Sequence, residues 1–232
     1  MKKAIALLLA LMLSLCAPAA LAQYAYASPV DSLQYAQAGD IVTFGSYPQA
    51  ANGRMSPIQW IVLERNGSQM LLISYYALDA VRYHRSNQNV TWAASDLRAW
   101  LNDQFYWTAF TEEEQAYICT AVNNTRDVGS RRGGGTTYDQ VFLLSIDEAL
   151  WYFPSDAARS AQPTQYAVFQ GAYTSKAGNV WWWLRSPGDA QNRAAGVYGA
   201  GNIDYEGAVV DLSTFRTVVD TVRPVIWVDV DP

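Results

Sequence analysis

Apolar and polar positions alternate along Ile41-Val42-Thr43-Phe44 and along Ile58-Gln59-Trp60-Ile61-Val62-Leu63, then merge into the apolar run Met70-Leu71-Leu72-Ile73. Period-two alternation and short apolar runs predict β-strands. Asn66-Gly67 separates the second and third segments and predicts a hairpin there. The period then changes. Leu97, Trp100, Leu101 and Phe105 recur at helical spacing behind Ser95-Asp96, a side-chain cap for a helix start. Thr111-Glu112-Glu113-Glu114 and Ser145-Ile146-Asp147-Glu148 both have the form of a capping box, and Pro154 stops the helix that follows the second. A further helix is expected over 164–170, ending at Gly171. Strand-like segments return at 180–185, 195–198, 208–212 and 222–228. The stretch 123–138, with Arg131-Arg132-Gly133-Gly134-Gly135, reads as a long mobile loop. Strands, then helices, then strands predict one α+β domain, mainly antiparallel, with about three to four helices in its middle.

Trp181-Trp182-Trp183-Leu184-Arg185-Ser186-Pro187-Gly188 puts bulk on both faces of a strand, so that strand is expected between two layers. Val222-Arg223-Pro224-Val225-Ile226-Trp227 has the same character, and both strands are expected at the centre of a sheet. Arg185 and Arg223 each follow an apolar run and stand close to a proline. They are expected to be structural, held by carboxylates or backbone carbonyls. Trp181, Trp182 and Trp183 are expected to be structural with them.

The N-terminus changes the picture of compartment. Lys2-Lys3, an apolar stretch over 4–15 and Ala20-Leu21-Ala22 form a secretory signal, with cleavage expected after Ala22. Cys16 is preceded by Leu15 rather than a small residue, so secreted or extracytoplasmic protein is expected rather than a lipid-anchored one. Residues 1–22 are thus the signal peptide, 23–38 a leader or linker without clear period, and 39–232 the domain. No later segment is apolar enough to span a bilayer. The net charge is −5 at neutral pH, and more acidic once Lys2 and Lys3 leave. A chain of this sign lacks the basic footprint that nucleic acid requires. Only Cys119 remains in the mature chain. It excludes an intramolecular disulfide and is expected to lie in a helix as a buried small hydrophobe.

Candidate chemistry is sparse. His84 is the single histidine, which excludes sites built on two or more imidazoles. It lies in a polar segment and is expected at the surface. Asp204 and Glu206 alternate and are the best carboxylate pair for a glycan hydrolase, with Asp229 and Asp231 a second. No calcium-loop pattern occurs, so no metal or other cofactor is expected. Aromatic residues are the real surplus, at 13% of the chain. They cluster at 100–107, 151–153, 166–173, 181–183 and 198–205; any single one is expected in the core, and at least one exposed patch is expected among the group, whose position would show function.

Gly39-Asp40-Ile41-Val42-Thr43-Phe44-Gly45-Ser46-Tyr47-Pro48-Gln49, Pro57 to Leu63, Val141 to Ser145, Trp181 to Gly188 and Val222-Arg223-Pro224 together resemble an uncharacterised bacterial secreted domain family of unknown function, over about 39–230. The Trp181–Gly188 and Val222–Trp227 strands also resemble, more remotely, C-type-lectin-like folds. That resemblance implies a scaffold only, because the cysteine pair, the histidines and the calcium motifs of active relatives are absent.

The expectation is an exported, non-enzymatic binding or interaction module for an extracellular glycan or peptide. Two alternatives stand beside it: a glycan-acting hydrolase using a carboxylate pair, and a structural component of the cell envelope. The candidate ligand surface is Tyr198, Asn202, Asp204 and Tyr205, on a loop-rich segment between core strands.

Overall fold

The computed structural model describes residues 28–211 and 220–232; the expected signal peptide, with Lys2, Lys3, Cys16 and Ala22, lies outside them. The described chain opens with turns that were expected to be a leader. They pack instead: Val30, Leu33 and Ala36 are buried in the core. Strand β1 (Ile41–Pro48) pairs with β2 (Met55–Asn66), and β2 with β3 (Gln69–Ser74), all antiparallel. Asn66 faces Gln69 in this register, so Gly67 and Ser68 are the central turn residues. Gly67, at φ +63°, fills the first central position, which a type II′ hairpin turn reserves for glycine. A two-residue strand, β4 (Asp79–Ala80), follows.

The first long helical stretch is α1 (Asp96–Trp100), a π-turn over 101–105, and α2 (Tyr106–Ala109). Ser95 caps it, accepting from the Arg98 N–H. Its inner face is Leu97, Leu101, Phe105 and Ala109, all buried and spaced by four, as one face of a helix requires. Helix α3 (Glu112–Gln115) carries the expected capping box of Thr111 and Glu114. Cys119 lies in a strand, β5 (Ile118–Cys119), not in the expected helix. The loop expected over 123–138 is largely a hairpin, β6 (Ala121–Thr125) with β7 (Gly135–Asp139). Helix α4 (Ile146–Tyr152) has the second capping box, Ser145 with Glu148, and stops just before Pro154. Short helices α5 (Asp156–Arg159) and α6 (Gln165–Phe169) precede β8 (Trp182–Pro187), β9 (Arg193–Val197), β10 (Ile203–Val209), β11 (Thr221–Val222) and β12 (Val225–Asp229).

The strands make two five-stranded sheets and the β6–β7 pair: β1-β2-β3-β12-β5 and β10-β9-β8-β11-β4. All pairings are antiparallel except β8 with β11. The architecture is α+β, as the order of elements implied. The two apolar strands expected at a sheet centre occupy different sheets. β8 is central in one, and β12 is interior to the other. The chain passes between them at Arg223-Pro224, after β11 has paired with β8.

The core is aromatic. Trp60, Trp92, Trp182 and Trp183 are fully buried, and each indole N–H finds an acceptor: Phe44 O, Asp139 Oδ2, Arg159 O and Val81 O respectively. Burying rings of this size gives the largest apolar gain per residue, and the bonded N–H avoids the cost of a stranded donor. Trp181 departs from its neighbours. It is partly exposed and packs on Tyr198, with ring centroids 4.9 Å apart.

Candidate functional site

The outer face of the α1–α2 stretch carries Trp100, Gln104, Trp107 and Thr108. Their spacing places them on one side of a helix, adjoining the buried Leu97–Ala109 face. They form one wall of a groove of about 560 Å³. Its floor is Asp79, Ala80 and Val81, and its far wall is Tyr47, Pro48, Tyr166 and Gln170. The groove continues past Trp100 into a second part of about 450 Å³, lined by Ala80, Val81, Arg82, Arg85, Asp96, Trp100 and Gln170.

Each wall is held from behind. Phe105 underlies both sides, its ring 5.5 Å from Trp100 and 5.0 Å from Tyr47. Arg98 anchors α1 through Asp139, whose fully buried carboxylate accepts from Arg98 Nε (2.5 Å), Thr137 Oγ1 (2.7 Å) and Asn123 Nδ2 (3.0 Å). The indole of Trp183 donates to Val81 O in the floor at 2.9 Å. Trp107 is the free element of this frame, 63% exposed. Tyr166 and Gln170, one turn apart on α6, are joined by a 2.5 Å hydrogen bond from the amide to the phenol oxygen.

Two carboxyl groups line the groove, and both are engaged. Asp79 is buried and accepts from Tyr47 Oη at 2.6 Å and from the Ala80 N–H at 2.7 Å. Burial pushes its carboxyl up, and the two hydrogen bonds only partly oppose that. The phenol of Tyr47 is pushed far up by burial and by the Asp79 charge. Asp96 accepts from the Arg85 N–H (2.8 Å) and lies 3.0 Å from His84 Nδ1. His84 was expected at the surface but is 4% exposed. Its ring lies between Asp96 and Gln88, and the His84 backbone N–H donates to Val210 O. A polar sequence context hid it because Arg82 and residues 85–89 are exposed while its ring turns inward against the start of α1.

The surface proposed from sequence divides. Tyr198 lies beside Trp181 and Asp204, and burial with the Asp204 charge pushes its phenol up to about 12. Asp204 is itself buried and accepts from the Gly207 N–H. Beside it, Asp220 is raised to about 7 by burial and by Asp204. Tyr205 is exposed, but consecutive strand residues point to opposite faces. It lines a separate pocket of about 440 Å³ with Ser145, Glu148 and Arg185. The two tyrosines therefore face different surfaces. Asn202 is exposed in the tight turn between β9 and β10, where its carbonyl accepts from the Tyr198 N–H. Of the carboxylate pair, Asp204 is buried while Glu206 is exposed, and neither lines the groove.

Arg185 donates to Leu143 O at 2.8 Å and meets Glu148 with both terminal nitrogens, one bond being 2.6 Å. Arg223, 1% exposed, donates to Ser74 O through Nε and Nη2 and to Arg159 O through Nη1. Its guanidinium lies 4.9 Å from the Trp182 ring centroid and 5.6 Å from that of Phe153. The Cys119 thiol is pushed up by burial and by Asp229, away from a reactive thiolate. Among the described residues no group of three or more His, Cys, Asp or Glu side chains is placed to hold a metal ion, and no helix is long and apolar enough to cross a membrane.

The groove residues missed in the sequence had one signal. The aromatic clusters at 100–107 and 166–173 supply Trp100, Trp107 and Tyr166. Asp79 and Tyr47 had none, since only the fold brings them to those helices.

Residues 67–230 match the family described as Domain of unknown function (DUF6273). The chain belongs to that family. The DUF6273 match takes in Trp181–Gly188 and Val222–Trp227 and every groove residue except Tyr47 and Pro48; the Gly39–Gln49 segment precedes it. No curated protein and no solved structure matches the chain.

Proposed function

We propose that the protein is an exported binding module that holds a glycan chain in the Trp100–Trp107 groove without transforming it. The observation that carries this reading is the single helix face of Trp100, Gln104, Trp107 and Thr108 set across from Tyr166 and Gln170. Flat aromatic rings offer large contact area to the apolar faces of sugar rings. Amide and hydroxyl side chains beside them supply both donors and acceptors for sugar hydroxyls. Export is supported by the Lys2-Lys3, apolar and Ala20-Leu21-Ala22 pattern.

A peptide added to the sheet edge fits less well. The edge strand in the groove, β4, is two residues long, and its Ala80 N–H is already bonded to Asp79, whereas strand addition needs a run of open backbone groups. A hydrolase needs one carboxyl free to give a proton and another to attack or activate water. Both groove carboxyls are occupied by protein donors, which favours holding over cleaving.

The test is titration calorimetry of the mature protein against an oligosaccharide panel, with Trp107→Ala as the variant. Truncating an exposed Trp that anchors a ligand should weaken binding about 30-fold, the factor for about 2 kcal/mol. The melting temperature should stay unchanged because Trp107 is exposed. Unaltered affinity in Trp107→Ala, binding of peptides but no glycan, or release of new reducing ends would each overturn the reading.

A further inference from the structure

We propose that the glycan held in the groove is acidic, a chain bearing uronate carboxylates, and that Arg82 and Arg85 bind its charge. This rests on the glycan-binding reading above and names the class of sugar.

The two parts of the groove are chemically unlike. The first is aromatic and amide-lined, with no cation among its lining residues. The second shares Trp100, Gln170, Ala80 and Val81 with it and adds Arg82 and Arg85. A ligand lying along both parts passes from stacking surfaces to a cationic lip. Arg82 is exposed and forms no ion pair or hydrogen bond among the described residues. Arg85 has an 83% exposed side chain, and its Nε stands 3.8 Å from Asp96. That carboxylate is already engaged by the Arg85 N–H and by His84. So the lip offers two guanidinium groups against one committed carboxylate. A guanidinium presents a planar fork of donors that matches a carboxylate bidentately, and such charge-assisted bonds are the stronger ones.

The setting sharpens the inference. The protein carries a net charge of −5, so its overall field repels an acidic polymer. Attraction has to be local, and the continuation of the groove supplies it. A neutral chain would gain only hydroxyl hydrogen bonds from the arginines there, without the charge-assisted match to a carboxylate. An acidic chain places rings on Trp100 and Trp107 while its carboxylates reach the lip.

The probes are an oligogalacturonate and its methyl ester, identical in backbone and differing in charge. The acid should bind at least 10-fold more tightly at low salt, and this advantage should shrink with ionic strength as exposed charges are screened. Arg82→Gln with Arg85→Gln, both at exposed positions, should erase the difference between acid and ester. Trp107→Ala should weaken acid and ester alike. Equal binding of acid and ester, or a preference for acid that survives the double variant, would overturn the inference while leaving the groove reading intact. Selective binding of a sulfated oligosaccharide over the uronate through the same arginines would overturn the carboxylate assignment. Loss of all glycan binding in the wild type would remove the groove reading itself.

Discussion

Arg223 holds its charge in the core by main-chain oxygens and ring faces. Its guanidinium donates to Ser74 O and Arg159 O and lies against Trp182 and Phe153. Burial lowers its pKa to about 9, which still leaves it charged at neutral pH. Arg223→Ala takes both guanidinium bonds from Ser74 O in a dry site and the ring-face contacts with them, while Arg159 O keeps the Trp182 indole N–H. It is expected to cost about 3 kcal/mol or more, the range for breaking a buried charged group from its partners. Arg223→Lys should recover only part of that, since an ammonium lacks the planar fork and the stacking; denaturant titration of both variants is the check. The acids give stability a pH dependence with two opposed limbs. Burial raises Glu148, but the bonds and charge of Arg185 and the Ser145 cap outweigh it, so its carboxyl stays below the ordinary 4.5. The stability it brings is complete above about 4.5 and is lost as pH falls through the lower folded value. Asp220 behaves oppositely. Its pKa rises from 3.8 to about 7, so between those values the folded protein holds a proton that the unfolded chain has released, and stability falls as pH rises through that window. Melting temperatures should therefore decline from about pH 5 to about pH 7 in the wild type. Asp220→Asn should flatten that decline, and Glu148→Gln should flatten the acid limb. An unchanged slope between about pH 5 and about pH 7 in Asp220→Asn would show that Asp220 is not the titrating group.

At the level of elements, legibility followed the range of the determining interactions. The β2–β3 hairpin, the capping boxes at Thr111 and Ser145 and the stop before Pro154 were readable because each is set by residues a few positions apart. The β6–β7 hairpin was not. Its glycines resembled a flexible insertion, while its ladder depends on Asp139 gathering Asn123, Thr137 and Arg98 from afar. The segment at 28–38 was unreadable for a related reason. Its buried residues Val30, Leu33 and Ala36 recur every third position in a run of tight turns, a period that matches neither strand nor α-helix. It is fixed by Arg65 on β2, which donates to Leu33 O, Gln34 O and Ala36 O. Leu33 is fully buried, so Leu33→Ala should cost about 2–5 kcal/mol, as for other buried leucines. A cost near zero in chemical denaturation would return this segment to the role of a leader.

At the scale of the whole molecule, the candidate site draws on β1, β4, α1–α2 and α6, four stretches spread over more than half the chain. Local pattern could flag Trp100, Trp107 and Tyr166 as aromatic surplus but could not bring them together. The same limit explains the division of Tyr198 from Tyr205. They are close in sequence, yet the pleat of β10 sends Asp204 and Tyr205 to opposite faces. The topology has a consequence for the order of events when the chain is made. β11 lies between β8 and β4, and β12 lies between β3 and β5. Both interior places are filled by residues 221–229, so a nascent chain that ends earlier has two half-sheets with open edges and no way to join them. Closure is non-local and correspondingly slow, and open edges in the meantime invite pairing with other chains. Completion of both five-stranded sheets therefore waits on synthesis of the last strand.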